Sequence, residues 1–311
     1  MKNNTSPLFN VNARIGGTML ESFFKKTGES LGATHHTHKA EVDISWVNIN
    51  NGKKETLLFL HGFSDRKESF YFPANFLKDQ VNLVLPDLPG FGQSTTDAGL
   101  TYSLDNYCKW LSGFIRDNHI GPCHLAGNSL GGAVASRLAL ALPEQIRSLT
   151  LVDTAGFYLP GHRSVYDEAL EGDILFQVRS VDDYEEMRGR IFAKPPVLPK
   201  FIGEYMAKHT MDNHDWYGKV FNDLSNMDAV RSGRETMESL SLNPHLDDFR
   251  MKVFLVWGRH DSLFPCQTTD FLAKRMPDAK IHIFDDLGHV PQIEHPFRFA
   301  GELSAFLKTV A

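Results

Sequence analysis

Polar and apolar positions alternate over residues 41–49, where Val42, Ile44, Trp46 and Val47 stand among Glu41, Asp43 and Ser45. A period of two turns one face to a core and the other to water, so the stretch predicts a half-exposed strand. Asn50-Asn51-Gly52 then predicts a turn. Residues 56–60 read differently. They form a short unbroken apolar run, the pattern of a strand buried on both faces. The same pattern recurs at residues 81–85, 124–126, 149–152, 253–257 and 281–284.

Helical periodicity fills the gaps between these runs. Residues 103–115 place Leu104, Tyr107, Leu111, Phe114 and Ile115 on one face. Residues 130–142 are small and apolar nearly all round, as suits a helix laid on a sheet. Residues 271–276 and 297–307 complete the set. Strands alternating with helices predict an α/β fold, a mostly parallel central sheet flanked by helices. Residues 156–247 break the rhythm. Helical pieces at 182–192 and 202–209 are interrupted by Pro195-Pro196 and Pro199, and no buried-strand run occurs among them. The expected organisation is a core of residues 41–155 and 248–311, a helical insertion at 156–247 over one end of the sheet, and an N-terminal arm at 1–40. That arm is polar and mixed, with Phe23 and Phe24 flanked by Glu21, Ser22, Lys25 and Lys26. It reads as loosely docked, with an amphipathic anchor as the alternative.

Composition narrows the partners. The chain has 311 residues, 42% of them hydrophobic and 23% charged, and a formal net charge of -6. A mildly acidic chain without a basic stripe has no electrostatic reason to bind nucleic acid. The N-terminal region holds no apolar run long enough for a secretory signal or a membrane span, so no stable membrane insertion is expected. A leader upstream of this sequence stays open. Cys108, Cys123 and Cys266 are an odd number without metal-ligand spacing, which fits reduced thiols and a cytoplasmic location. His35, His36 and His38 have no acidic or cysteine ligand placed with them, so no metal site and no cofactor is expected.

The chemistry centres on Gly127-Asn128-Ser129-Leu130-Gly131, set between a strand-like and a helix-like run. This is the local pattern of a serine on a sharp strand-to-helix turn, the nucleophile elbow. Small neighbours are needed because strand and helix approach closely there. A serine hydroxyl is a weak nucleophile at neutral pH and needs a base, a carboxylate to orient that base, and donors for the oxyanion. The Leu130 N–H, at the start of the helix, is one expected oxyanion donor. His61-Gly62-Phe63-Ser64 follows the first buried strand and supplies the second, from Phe63 with Ser64 as the alternative; His61 itself reads as structural. His289 follows the last buried strand and is the expected base. His295, its nearby competitor, reads as a cap or surface residue. Asp261 lies just beyond the strand at 253–257 and is the expected acid, with Asp153, at the end of another strand, as its rival.

These pieces together resemble the α/β-hydrolase fold superfamily. They are His61-Gly62-Phe63, the run from Pro86 to Ser94, Gly127-Asn128-Ser129-Leu130-Gly131-Gly132, Trp257-Gly258-Arg259-His260-Asp261 and Gly288-His289. The order serine, acid, histidine is that of the superfamily. The resemblance implies that the insertion is a helical cap shaping the substrate pocket. Within the superfamily the chain is most similar to bacterial monoacylglycerol-lipase-like lipases and esterases, on the His61–Ser64 loop with Asp65 and Lys67 and on the Asn-Ser-Leu elbow. The implied activity is hydrolysis of a small carboxylic ester with an apolar acyl or alkyl part, through an acyl-enzyme and without a cofactor. Phe157, Tyr158, Leu159, Leu175, Phe176, Ile191, Phe192, Val197, Leu198, Phe201 and Ile202 are candidates for its apolar wall or for the insertion's own core. Two alternatives remain. One is a carbon–carbon bond hydrolase, which usually carries a His-Gly-x-Gly-Pro-Gly loop where this chain has Phe63-Ser64-Asp65. The other is a hydrolase-like ligand receptor.

Overall fold

A computed structural model of the chain describes residues 6–310. Eight strands form one sheet in the order β1-β2-β4-β3-β5-β6-β7-β8. They are β1 (Thr34–His38), β2 (Ile44–Ile49), β3 (Thr56–Leu60), β4 (Asn82–Pro86), β5 (Cys123–Asn128), β6 (Ile146–Val152), β7 (Lys252–Gly258) and β8 (Lys280–Phe284). β1 and β2 run antiparallel; every pairing from β4 through to β8 is parallel. Each run predicted to be doubly buried is a strand; β5 is buried along its whole length, but β8 is the edge strand and, contrary to expectation, only Phe284 of it is buried, with Lys280 and Ile281 exposed.

The helices are α1 (Pro7–Leu31), α2 (Tyr71–Leu77), α3 (Leu104–Asp117) and α4 (Leu130–Ala141). Then come α5 (Val165–Glu171), α6 (Val181–Ile191), α7 (Lys200–Asp212), α8 (His214–Ser225), α9 (Met227–Arg231) and α10 (Met237–Leu240), all between β6 and β7 with no strand among them. α11 (Thr268–Ala273), α12 (Pro291–Glu294) and α13 (Pro296–Leu307) complete the chain. Parallel pairing of β3, β5, β6, β7 and β8 brings their carboxyl ends to one edge of the sheet. Loops leaving that edge are where such folds place ligands.

The N-terminal segment departs from expectation. It is not a loose arm but a 25-residue helix and an edge strand. Ser6 caps α1 by accepting from the Phe9 N–H, Pro7 opens it, and Gly32 ends it in the left-handed region at φ 72°. Phe9, Ala13, Phe24 and Leu31 bury one face. Two glycines mid-helix normally weaken it by about 1 kcal/mol each. Here they permit contact: a Cβ on Gly16 would lie 2.0 Å from the Phe201 carbonyl of α7, and one on Gly17 would lie 2.7 Å from the Tyr205 ring. β1 escaped notice because Thr34, His35, His36 and Thr37 are all exposed, so no apolar alternation marks it. On it His36 stacks on Trp46 with ring centroids 4.6 Å apart, and the His38 imidazole meets the Asn118 amide at 3.2 Å.

Among the described residues no helix is long and apolar enough to cross a membrane. The three cysteines are free thiols.

The Gly16 contact is testable. Gly16→Val drives a branched side chain into backbone that cannot swing aside, and we expect a stability loss of about 1–3 kcal/mol. A thermal melt by circular dichroism checks it; an unchanged midpoint would mean that α1 does not seat on α7.

Candidate active site

The elbow follows from close approach of backbone to backbone. A Cβ on Gly127 would lie 2.2 Å from the Gly131 carbonyl oxygen. One on Gly131 would lie 2.1 Å from the Leu60 carbonyl oxygen at the end of β3, and one on Gly132 would lie 2.2 Å from Thr154 Oγ1. Only glycine fits at these positions. Ser129 is held at φ 53° and ψ -119°, a conformation unfavourable for a residue with a side chain. Hydrogen bonds enforce it: the Ser129 N–H donates to Val152 at 3.0 Å, and its carbonyl accepts from Gly132, Ala133 and Ala155 at 2.9, 3.2 and 3.1 Å. Leu130 is the first residue of α4, so its N–H has no acceptor within the helix and adds to the positive end of the helix dipole.

His289 and Asp261 leave neighbouring strands and meet. His289 Nδ1 lies 3.0 Å from Asp261 Oδ2, and both residues are buried. The other Asp261 oxygen accepts from the Leu263 and Phe264 N–H groups at 2.8 and 3.1 Å, which fixes the carboxylate. Asn128 joins this loop to the elbow. Its side-chain amide donates to the carbonyls of Val152 at 3.1 Å and His289 at 3.0 Å, one residue away from the serine. The His289 N–H donates to the Ile191 carbonyl at 2.9 Å. Glu294 accepts from Gly288 at 2.7 Å and Ala193 at 2.9 Å, tying the histidine loop to the end of α6. Burial raises the Glu294 carboxyl above its ordinary range despite those donors.

The rival acid is present at the same place in a different role. Asp153 is fully buried at φ 43°, beyond the end of β6. Its Oδ1 accepts from the Gly258 N–H at 2.8 Å. Its Oδ2 finds no donor and meets the Asp261 carboxylate instead. Burial, and then the Asp261 charge, hold the Asp153 carboxyl well above the usual carboxylate range. Ionising both of two neighbouring buried carboxyls is costly. Asp261, not Asp153, holds the imidazole.

His61 is structural, as its position suggested. Its Nε2 accepts from the Leu88 N–H at 2.9 Å, which leaves Nδ1 to donate to the Gly62 carbonyl at 2.7 Å. Lys67 is fully buried beside this loop, with Nζ 2.6 Å from Asp87 Oδ2 and 3.2 Å from Glu68. His295 precedes α13 and makes no side-chain cap bond there.

Phe63, Ser129 and Leu130 all line one cleft of about 770 Å³, counted with its open mouth. Phe264, whose ring centroid is 5.8 Å from that of His289, lines it too. From the insertion come Tyr158, Val165, Phe176, Phe221, Leu224 and Leu240. Of the aromatic and aliphatic candidates in the sequence, only Tyr158 and Phe176 reach it. Phe201 abuts α1 instead, and Val197 is wholly exposed. The α8 residues Phe221 and Leu224 carried a signal in their helical spacing that the proline-broken surroundings hid. No lining residue is charged.

Among the described residues, Asp153, Asp261 and His289 form the one group whose possible metal-binding atoms all lie within 4.8 Å of one another. Their polar atoms are already engaged: His289 Nδ1 with Asp261 Oδ2, Asp261 Oδ1 with the Leu263 and Phe264 N–H groups, and Asp153 Oδ1 with the Gly258 N–H.

The Asp153 carboxyl sets a pH dependence. A carboxyl whose folded-state pKa is raised contributes fully below its unfolded value of about 4 and loses that contribution as pH rises above it. Asp153→Asn removes the loss and keeps the Gly258 bond. Its melting temperature relative to wild type should therefore climb between about pH 5 and pH 8. A pH-independent difference would show that Asp153 is ionised in the fold.

Residues 55–296 match the family model described as the alpha/beta hydrolase fold. The chain is 28% identical to Lipase 3 of Moraxella sp. (strain TA144), covering 86% of this chain and 85% of that protein. It is 27% identical to Lipase 1 of Psychrobacter immobilis, covering 88% and 86% respectively. A solved structure described as a membrane phospholipase A and bacterial virulence factor superimposes with a TM-score of 0.86 at 26% identity, over 95% of this chain and 92% of that one. With the family model spanning most of the chain and the elbow built as that fold requires, the protein belongs to the α/β-hydrolase family.

Proposed function

We propose that this protein hydrolyses carboxylic esters with an apolar acyl part, through Ser129 as nucleophile, His289 as base and Asp261 as the orienting acid. The observation that carries the reading is the strained Ser129 lining an uncharged cleft, one residue from the side chain that binds the loop of the buried His289–Asp261 pair. The lipase names of the relatives support it.

In the first step His289 accepts the hydroxyl proton as Ser129 attacks the ester carbonyl. Asp261 holds the imidazole by its Nδ1–H and stabilises the cation that forms. Backbone N–H groups of Leu130 and Phe63 receive the oxyanion, a stabilisation of about 3–4 kcal/mol for one such donor. The imidazolium then protonates the leaving alcohol. In the second step water, deprotonated by the same histidine, attacks the acyl-enzyme, and the acid leaves with Ser129 restored. Residues 156–247 act as a cap whose side chains form the acyl wall, over a core of residues 41–155 and 248–311 joined at its edge by β1.

The uncharged lining also separates this reading from carbon–carbon bond hydrolysis. A vinylogous diketone acid brings a carboxylate, and burying it without a cation is costly. A receptor role would leave the strained elbow and the oriented imidazole without a use.

Three measurements follow. Ser129→Ala should lower kcat/KM on p-nitrophenyl butyrate by about 10⁴-fold or more; comparable rates in the two proteins would sink the assignment. Asp261→Asn should cost about 10⁴-fold while Asp153→Asn stays within about tenfold, and the reverse ranking would exchange their roles. The neutral butyrate ester should be preferred over the charged succinate monoester by about 100-fold or more in kcat/KM. Equal preference would mean that a cation reaches the acyl site.

A further inference from the structure

α1 carries two apolar stripes. One, with Phe9, Ala13, Phe24 and Leu31, is buried. The other is Leu8, Val11, Ile15, Met19 and Phe23, three or four residues apart, with exposures from 48% at Ile15 to 64% at Leu8. At 3.6 residues per turn the stripes are rotated from each other by about 120°. The first docks the helix, so the second is not needed for folding.

The exposed stripe continues onto other elements. The Phe23 ring lies 6.3 Å from Phe72 of α2. One turn further along α2, exposed Phe76 lies 5.3 Å from Phe297 of α13, itself 64% exposed. Large apolar side chains thus run from the start of α1 across α2 to α13. Scattered exposed apolar residues are ordinary, but a contiguous ribbon marks a contact surface.

Charge identifies the contact. Arg14, Lys25 and Lys26 are exposed on α1, and no ion pair is described for any of them. Of the two acids on the helix, Glu21 is taken by Arg66 at 2.7 Å, leaving Glu29. The free charge beside the stripe is therefore net positive on a chain of net charge -6. Two copies meeting through this face would bring like charges together. A bilayer with anionic head groups meets both features at once: acyl chains take the apolar side chains, and lysine and arginine stems reach out to the phosphates. The helix does not meet the requirement for spanning, so it would lie in the interface.

We propose that α1, with Phe72, Phe76 and Phe297, is a docking face for an anionic lipid surface. The face is separate from the catalytic reading, and protein inactivated at Ser129 should bind equally well.

The test is co-sedimentation of the full chain with phosphatidylcholine vesicles, with and without phosphatidylglycerol. Wild type should bind the anionic vesicles more tightly. Ile15→Ser/Met19→Ser should weaken binding to both by about tenfold or more. Lys25→Glu/Lys26→Glu should abolish the preference for phosphatidylglycerol. Hydrolysis of p-nitrophenyl butyrate in vesicle-free buffer should stay within about twofold for both variants, because neither touches the cleft. Wild type that stays in the supernatant, or Ile15→Ser/Met19→Ser protein that sediments like wild type, would overturn the proposal. So would a wild-type dimer without vesicle binding that Ile15→Ser/Met19→Ser turns into a monomer, since a second copy would then cover the stripe.

Discussion

The site depends on close approach at three glycines, main chain against main chain at Gly127 and Gly131 and against the Thr154 side chain at Gly132. Gly127, Gly131 and Gly132 let the end of β5, the start of α4, the end of β3 and the Thr154 side chain occupy a space with no room for a methyl group. That crowding makes Ser129 adopt a positive φ. The strain is offset by four backbone hydrogen bonds made by the serine itself. A side chain held this way has few conformations to lose, which is what pre-organisation would mean for the nucleophile proposed here.

The proposed base, His289, is positioned by the same edge of the sheet but from the other side. Parallel β7 and β8 deliver Asp261 and His289 next to each other, and Asn128 stitches their loop to the elbow. Glu294 and the Ile191 carbonyl then fasten that loop to the end of α6. The insertion is thus bonded directly to the loop that presents the imidazole. Asp153 adds a further constraint: burial, and then the neighbouring Asp261, raise its carboxyl well above the usual range, while Asp261 is the acid that faces the histidine.

What could be read from the residues alone follows from what leaves a periodic trace. β3 through β7 were legible because burial on both faces demands apolar runs; β8 showed a similar run although it is a half-exposed edge strand. The elbow, Asp261 and His289 were legible because each lies just past such a run. α1 and β1 were not. α1 divides its apolar residues between two stripes and carries Gly16-Gly17, which looks like a break until α7 is seen lying against it. β1 is held by its ladder to β2, and a ladder is independent of side-chain polarity. The cleft wall was only partly legible. An apolar residue in an insertion of short helices can line the cleft, lie buried in the core or meet α1, and Phe176, Phe157 and Phe201 do one each. The Asp153 role needed coordinates, since sequence places both acids at strand ends and cannot rank their distances to one imidazole.

The most direct measurement is covalent capture of the nucleophile. A fluorophosphonate ester should add once per chain, and peptide mass spectrometry should place the adduct on Ser129, with labelling slowed severely in His289→Ala. Labelling of another residue at the wild-type rate, or labelling of Ser129 indifferent to the loss of His289, would contradict the account.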